Sequence, residues 1–509
     1  MRGTVGQRTG IGAAYAEMKR IAVIGGGIAG VSATYELALQ KRAGAPIEFV
    51  LFEAASRLGG IVETVHCDDF IIECGPDSWV TEKRWARDLA IELGLEREVL
   101  PSQDDRRKTY IAQGQTLTPM PDGMRMIVPT QWASVLNSPL FTWQAKLAYL
   151  REPKLAGELK ASALDNANSA RDESVRDFVL RHFGADVADT IAAPLLSGVL
   201  GGDIANLSAR AVLPSLIALE REHGSLILGL QQRVRAGNGS ASVFTTLRNG
   251  LASLIEGMES HLPANTIQRG MTIESIHRSG DGWSLVGASI AEKPELARQT
   301  FDAVVVATPA TTTEKLLTPL DAKIAELLPR HSSSAIIVAL GFCADEARGM
   351  RVPRGFGFLV PARSSQGDKV FSTNNVADRA LLACTYVDQK FPFRTPAGAI
   401  LLRAFFGGPA APALLKQDDA MLIRLASVEL GRYLGKLPEP SIALVRRWPN
   451  SLPLYSVRHL DRISELDRRV AALPNLRLIG NAYRGVGLPD LVHSGRTTAR
   501  ELIASLSAN

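Results

Sequence analysis

No stretch of this chain is apolar for the ~18–20 residues that a bilayer-spanning helix requires. Residues 334–340 and 191–202 are the best candidates; both are short, and Pro194 and several glycines interrupt the second. A helical span is not expected, whereas attachment to one face of a membrane stays open. Cysteine is scarce: Cys67, Cys74, Cys343 and Cys384 form no C-x-x-C pair. That spacing speaks against a disulfide framework and a cysteine-ligated metal, and it suits a reducing compartment. Charge of one sign is lacking too. The 57 Lys and Arg against 52 Asp and Glu leave +5, with no basic run of the kind that binds nucleic acid. So small an excess suits an anionic substrate or membrane surface. Residues 1–17 have no apolar core and only Arg2 and Arg8 as basic residues. Neither a secretory signal nor a transit peptide is expected there, and Met18 reads as the natural start.

What is present is a globular composition, 46% hydrophobic and 21% charged. At ~100–200 residues per domain, 509 residues imply about three units. Residues 21–24 form a short β-branched run that ends in glycine, 28–39 read as a helix, and 47–52 read as a second strand ending at Glu53. This is a βαβ unit. Residues 82–230 are mostly helix-like, with Ser174 and Asp177 marking one helix start. Strands are expected at 272–277, 283–286, 303–307, 333–343, 355–361 and 399–406. A last strand (477–480) and helix (488–505) repeat the opening in kind. The simplest layout is a nucleotide domain assembled from both chain ends, with other units inserted.

Gly25, Gly27 and Gly30 form G-x-G-x-x-G between that first strand and helix. Such glycines permit a tight turn, close approach of a pyrophosphate and close helix–strand packing, while the helix N-terminus favours the phosphate charge. Glu53 lies where a carboxylate accepts ribose hydroxyls. Gly26, Ile28 and Ala29 complete the turn, and Ala54, Arg57, Gly59 and Gly60 extend the site, with Arg57 in reach of the phosphates. Residues 480–490 read as a strand end, a Gly-rich loop and a helix start, with Pro489 in its first turn. Such a helix aims free N–H groups at an acceptor.

These motifs resemble those of the flavin amine-oxidase-like proteins, which also line their cofactor at the position of Gly75, Pro76, Asp77 and Ser78. A closer resemblance rests on GNAYRGVGLPDLVHSGR at 480–496, SGVLGGD at 197–203, LSARAVLPSL at 207–216, HGSLILGL at 223–230 and RGFGFLVP at 354–361. With these, nearly the whole chain is similar to the oxygen-dependent protoporphyrinogen oxidase family. The resemblance implies an α/β fold with a Rossmann-like FAD domain (18–80, 232–310, 440–509). It also implies a mixed-sheet substrate domain (100–120, 311–440) and a helical, membrane-binding domain (81–99, 121–231). It implies non-covalent FAD, held also by Ile273, Trp448, Gly480, Val486, Gly487 and Leu488. The tetrapyrrole would lie between Leu359 and Phe405, with the Gly198 carbonyl near its pyrrole N–H groups. O2 would be the acceptor and H2O2 the by-product. The propionate-binding Arg of the plant and animal enzymes aligns with Thr109, so either Lys108, Arg107 or Arg106 supplies that charge or the propionate binds differently, and a second apolar wall residue aligns near Thr385. His459 and His493 have no recognisable catalytic partner and read as structural.

Trp132, Val135, Leu136 and Leu140, then Trp143, Leu147 and Leu150, recur at helical spacing, with starts expected at Thr130 and Ser138. Two amphipathic helices there would either insert into one leaflet or form a buried pair. The expected location is the cytoplasm, at the inner face of the membrane. A coproporphyrinogen III oxidase, a flavin amine oxidase and a tetrapyrrole carrier stay open as alternatives, as does a homodimer.

Overall fold

In the computed structural model, which describes residues 17–168, 171–235, 242–289, 297–361 and 380–507, a parallel sheet runs through the first and last parts of the chain. Its strand order is Ile267–Arg269, Ile47–Glu53, Lys19–Ile24, Ala303–Val306 and Leu476–Leu478. Parallel strands need cover on both faces, which the near-continuous apolar runs of the central strands reflect. Alternate side chains divide the cover. Ile21, Val23, Ala303 and Val305 pack under helices Ile28–Arg42 and Leu488–Ser507. Ala22, Ile24, Val304 and Val306 pack on an antiparallel sheet of Met271–Ser279, Gly282–Ser289 and Ala297–Phe301. The strand Ala297–Phe301 was not expected. Its mixed polar sequence ARQTF carries no period-2 pattern, and it is placed by pairing with its neighbour and by the one core side chain at its end, Phe301.

A second, seven-stranded sheet has the order Ile442–Pro453, Ser332–Phe342, Ile400–Phe406, Leu381–Tyr386, Gly357–Leu359, Thr109–Gln113 and Thr116–Pro119. It is mixed, because Gly357–Leu359 runs parallel to Thr109–Gln113 while the other pairs are antiparallel. Phe358, Cys384, Leu402, Ala404 and Phe406 face helix Asp419–Leu434. The opposite face sends Ile111, Leu359 and Ala383 into the helical part of the molecule. Two boundaries differ from expectation. Ile442–Pro453, expected in the dinucleotide unit, is the edge strand of this sheet, and the helices Ala310–Leu317 and Ala322–Leu327, expected in the substrate unit, pack on the parallel sheet.

The helical part centres on Val175–Val187, whose Ser174 caps the Asp177 N–H at 3.0 Å, as expected. Helices were expected to dominate 82–230, yet 99–129 holds five short strands. The helix pair expected over 130–150 is Trp132–Asn137 and Trp143–Arg151. Neither expected start holds. Thr130 bonds back to the Gly123 carbonyl, Ser138 ends the first helix, and Thr142 caps the second.

His182 is buried here between two carboxylates, Nδ1 to Glu152 at 3.0 Å and Nε2 to Glu220 at 3.1 Å. Burial favours the neutral ring, but the two carboxylates outweigh it and raise the pKa. A raised folded pKa contributes stability below the unfolded value (~6.5) that is lost as pH climbs through the folded one. The melting temperature should therefore fall on the alkaline side of this range. His182→Gln should cost about 3 kcal/mol at pH 6 and flatten that slope. Parallel melting curves against pH for the two proteins would show that His182 does not titrate in this window.

Candidate active site between the two sheets

The first strand can only turn into its helix through glycine. Gly25 has φ 106°, and a Cβ there would lie 2.7 Å from the Ala307 carbonyl oxygen. A Cβ on Gly30 would lie 1.9 Å from the Gly25 oxygen. Gly27 is different. Its φ of −68° suits any residue, and among the described residues, its chain neighbours aside, no atom lies within 4 Å of where its Cβ would be. The fold does not demand glycine there, whereas a ligand lying on the backbone would. Gly59 bridges to Gly27, and Gly60 lies against it, so the two glycine turns form one wall. Glu53, at the tip of the second strand, accepts the Gly26 N–H at 2.5 Å and the Ala55 N–H at 2.7 Å. It braces the turn, and its remaining lone pairs are left for hydroxyls. Arg57 folds back on the carbonyls of Gly60 (2.6 Å), Leu58 and Val62, with its guanidinium 6.0 Å from the Trp448 ring centroid. In this structure it braces the Gly59–Gly60 loop and does not stand free.

Three further segments close on this wall. Gly75 packs on the Ile61 carbonyl too tightly for a side chain, and Trp448 Nε1 donates to the Cys74 carbonyl at 2.6 Å. Gly480, at φ 131°, faces open space. Helix Leu488–Ser507 begins beside the first helix, since Gly495 lies against the Ala29 carbonyl two turns on. The loop containing Val486 and Gly487 is tied down by Tyr455, whose hydroxyl donates to the Asn481 carbonyl at 2.6 Å, and by His459, 2.7 Å from the Tyr483 carbonyl. Burial pushes His459 down to about 4, so the ring is neutral and structural. His493 stacks on Trp85. Ile273 is buried where the antiparallel sheet meets the second strand. Two helix N-termini and bare glycine backbone thus lie together here, the kind of surface that favours an anionic phosphate.

Beyond the groove stands the seven-stranded sheet. Ile111, Leu359, Ala383 and Phe405 are cross-strand neighbours, hence on one face. The adjacent row is Thr109, Gly357, Thr385 and Arg403. Helix Ala193–Leu200, which carries Gly198, packs on Gly357–Leu359 and Leu381–Tyr386. The register extends one step further, as the Phe356 N–H donates to the Lys108 carbonyl at 2.8 Å. Alternation therefore assigns Lys108 to the Tyr110 side, away from Leu359 and Phe405. Arg107 pairs with Asp104 at 3.7 Å.

Residues 28–503 match the family described as flavin-containing amine oxidoreductase. The chain belongs to that family. FAD is therefore its cofactor. A coproporphyrinogen III oxidase of Bacillus subtilis is 31% identical over 96% of this chain and 98% of its own. A protoporphyrinogen oxidase of Bos taurus is 29% identical over 96% and 99%. A crystal structure from Exiguobacterium sp. 255-15 superposes with a TM-score of 0.78 at 29% identity, covering 96% of this chain and 99% of that one.

Sequence reasoning missed the charged residues that join the FAD groove to the sheet. Lys390 Nζ lies 2.8 Å from Asp77 and 3.0 Å from the Ser78 hydroxyl. Arg403 pairs with Asp77 at 3.4 Å and donates to the Gly75 carbonyl. Arg394, fully buried, donates to Glu73 at 2.8 Å and Thr246 at 2.6 Å. Burial works against the Asp77 carboxylate, yet Lys390 and Arg403 prevail and hold its pKa well below the usual range. A signal was available: a lone Arg within the apolar strand ILLRAFF must find a buried partner.

Because nothing packs against a Cβ at position 27, Gly27→Val should leave the melting temperature near that of the parent. It should weaken FAD at least tenfold, about 1.4 kcal/mol. Gly30→Val should lose both fold and FAD. Flavin absorbance per mole of purified protein, read beside a thermal melt, checks both. Full FAD content in a folded Gly27→Val protein would place the cofactor elsewhere.

Proposed function

We propose that the chain is an FAD-dependent oxidase that converts a porphyrinogen into its porphyrin, with O2 as the final acceptor, in haem formation. The observation that carries this reading is the Leu359–Ala383–Phe405 row, an apolar strip beside the FAD groove, in a chain alike end to end with porphyrinogen oxidases. Bound FAD supplies the hydride acceptor. The chain's part is to desolvate and orient the substrate. Leu359 and Phe405 offer apolar surface to a broad macrocycle, and the Gly198 carbonyl offers an acceptor for pyrrole N–H. Holding a ring methylene at a fixed approach supplies much of the acceleration, because orientation replaces a chance encounter.

Protoporphyrinogen IX is the substrate to which the motifs at 197–230 and 354–361 point. A separate observation favours coproporphyrinogen III: the 31% identical relative carries that name, and the resemblance aligns Thr109 with an Arg of the plant and animal protoporphyrinogen enzymes. Both substrates are to be offered in parallel, in air, to the purified protein, and porphyrin fluorescence followed. Faster turnover of protoporphyrinogen assigns the first reading, preference for coproporphyrinogen the second, and silence with both sinks the proposal. Phe405→Ala should lower kcat/KM about tenfold or more, or ~1.4 kcal/mol, on whichever substrate is used.

Peripheral membrane attachment is part of the same proposal. Helix Trp143–Arg151 buries Ala145 and Tyr149 and leaves Trp143 (68%), Leu147 (41%) and Leu150 (37%) exposed along one face. An exposed aromatic–aliphatic stripe flanked by Lys146 and Arg151 suits the headgroup boundary of an anionic bilayer. Trp143→Glu with Leu147→Glu should abolish co-sedimentation with phosphatidylserine-containing vesicles while porphyrinogen turnover in detergent persists. Equal vesicle binding by parent and variant would remove the membrane from the proposal.

A further inference from the structure

Beneath the Gly75–Ser78 loop, three cations face two carboxylates. Lys390, Arg394 and Arg403 stand against Glu73 and Asp77, all five buried or nearly so. The carboxylates are already shared with neutral donors: Glu73 also accepts from the Thr64 hydroxyl and the Leu251 N–H, both at 2.8 Å. Part of the cationic surface has no acceptor among the described residues. Nε and Nη1 of Arg394 and Nε of Arg403 are buried without a hydrogen-bond partner. Aromatic faces take some of the charge, with Lys390 4.5 Å from the Phe244 centroid and Arg403 5.1 Å from that of Phe405. Among the described residues one positive charge is still left over, and an uncompensated buried charge is costly. Such a surplus persists where something nearby takes up negative charge.

The position of the cluster says what that is. Gly75 abuts Ile61, next to the Gly59–Gly60 wall of the FAD groove. Arg403 spans from the Gly75 carbonyl to the Phe405 ring on the substrate face. The redox-active end of a cofactor that starts at Gly27 and must reach that face has to pass over this cluster. We infer that the Lys390–Arg394–Arg403 surplus is an electrostatic device that raises the reduction potential of the bound flavin. It favours the negative charge the ring takes up with electrons, in addition to the N-terminus of helix Leu488–Ser507. The inference rests on the FAD site proposed above. Lys390 and Arg403 are thus positioning residues, acting through charge and without touching substrate.

Two substitutions at one contact test it, because they break the same ion pair and move the charge in opposite directions. Lys390→Met brings the cluster to neutrality, and Asp77→Asn doubles its surplus. In FAD-loaded protein, midpoint potentials from dye-coupled reduction should fall in Lys390→Met by about 30 mV, a tenfold change for two electrons. They should rise in Asp77→Asn. Arg403→Lys, which keeps charge and loses the Gly75 contact, should stay near the parent and serves if either other variant fails to fold. Potentials that shift the same way in Lys390→Met and Asp77→Asn, or not at all, with FAD fully bound, would reduce the cluster to a structural clamp. A parent protein without FAD would overturn the site itself.

Discussion

The Asp77 carboxylate is the point on which the two sheets are fastened. It leaves a loop that belongs by chain position to the dinucleotide unit and meets Arg403 of the seven-stranded sheet and Lys390, at the end of the short helix Val387–Lys390 that follows the strand Leu381–Tyr386. A buried ion pair gains little over a well-packed apolar contact, but breaking one side of it is expensive, so it specifies geometry more than it stabilises. Here the geometry it specifies is the distance between the glycine turns of the parallel sheet and the Leu359–Phe405 row, the proposed cofactor and substrate surfaces. Reaction across that gap depends on placement at the ångström scale, and Arg394 on Glu73 repeats the fastening one step along. An apolar seam would hold the sheets together but would let them slide.

Glycine does the complementary work. At Gly25, Gly30 and Gly75 the backbone approaches itself too closely for any side chain, which makes those residues obligatory for the fold. At Gly27 the same residue type leaves a space that the protein does not fill. The two uses are indistinguishable in sequence and separate only once the neighbours of each missing Cβ are known.

This difference accounts for what could be read in advance. The two ends of the dinucleotide unit were legible because a turn, a close approach and a helix start mark consecutive residues. The apolar strand at 303–306 was legible because burial on two faces leaves an unbroken hydrophobic run, and 400–406 because its run is broken only by Arg403. Leu359 and Phe405 could be named from resemblance, yet that they share a row through Ala383 is a matter of register between three strands. Lys390, Arg394 and Arg403 are scattered single charges whose meaning is their convergence on residues more than 300 positions earlier. Ile442–Pro453, with its paired arginines, carries no clean alternation that would claim it for a sheet. Thr130 and Thr142 are equal as caps until tertiary packing chooses between them.

The contact between Gly495 and Ala29 also sets a timetable. The residues that meet there emerge from the ribosome 466 positions apart, roughly 25–90 s at ordinary rates of elongation. Throughout that interval the first βαβ unit is made, but the apolar flank of its helix has no partner and the strand Leu476–Leu478 has not yet closed the sheet edge. Pairings this distant close late and slowly. The nascent chain therefore carries an exposed parallel edge and a naked helix face for nearly the whole of its synthesis, the state in which chaperones bind and aggregates begin.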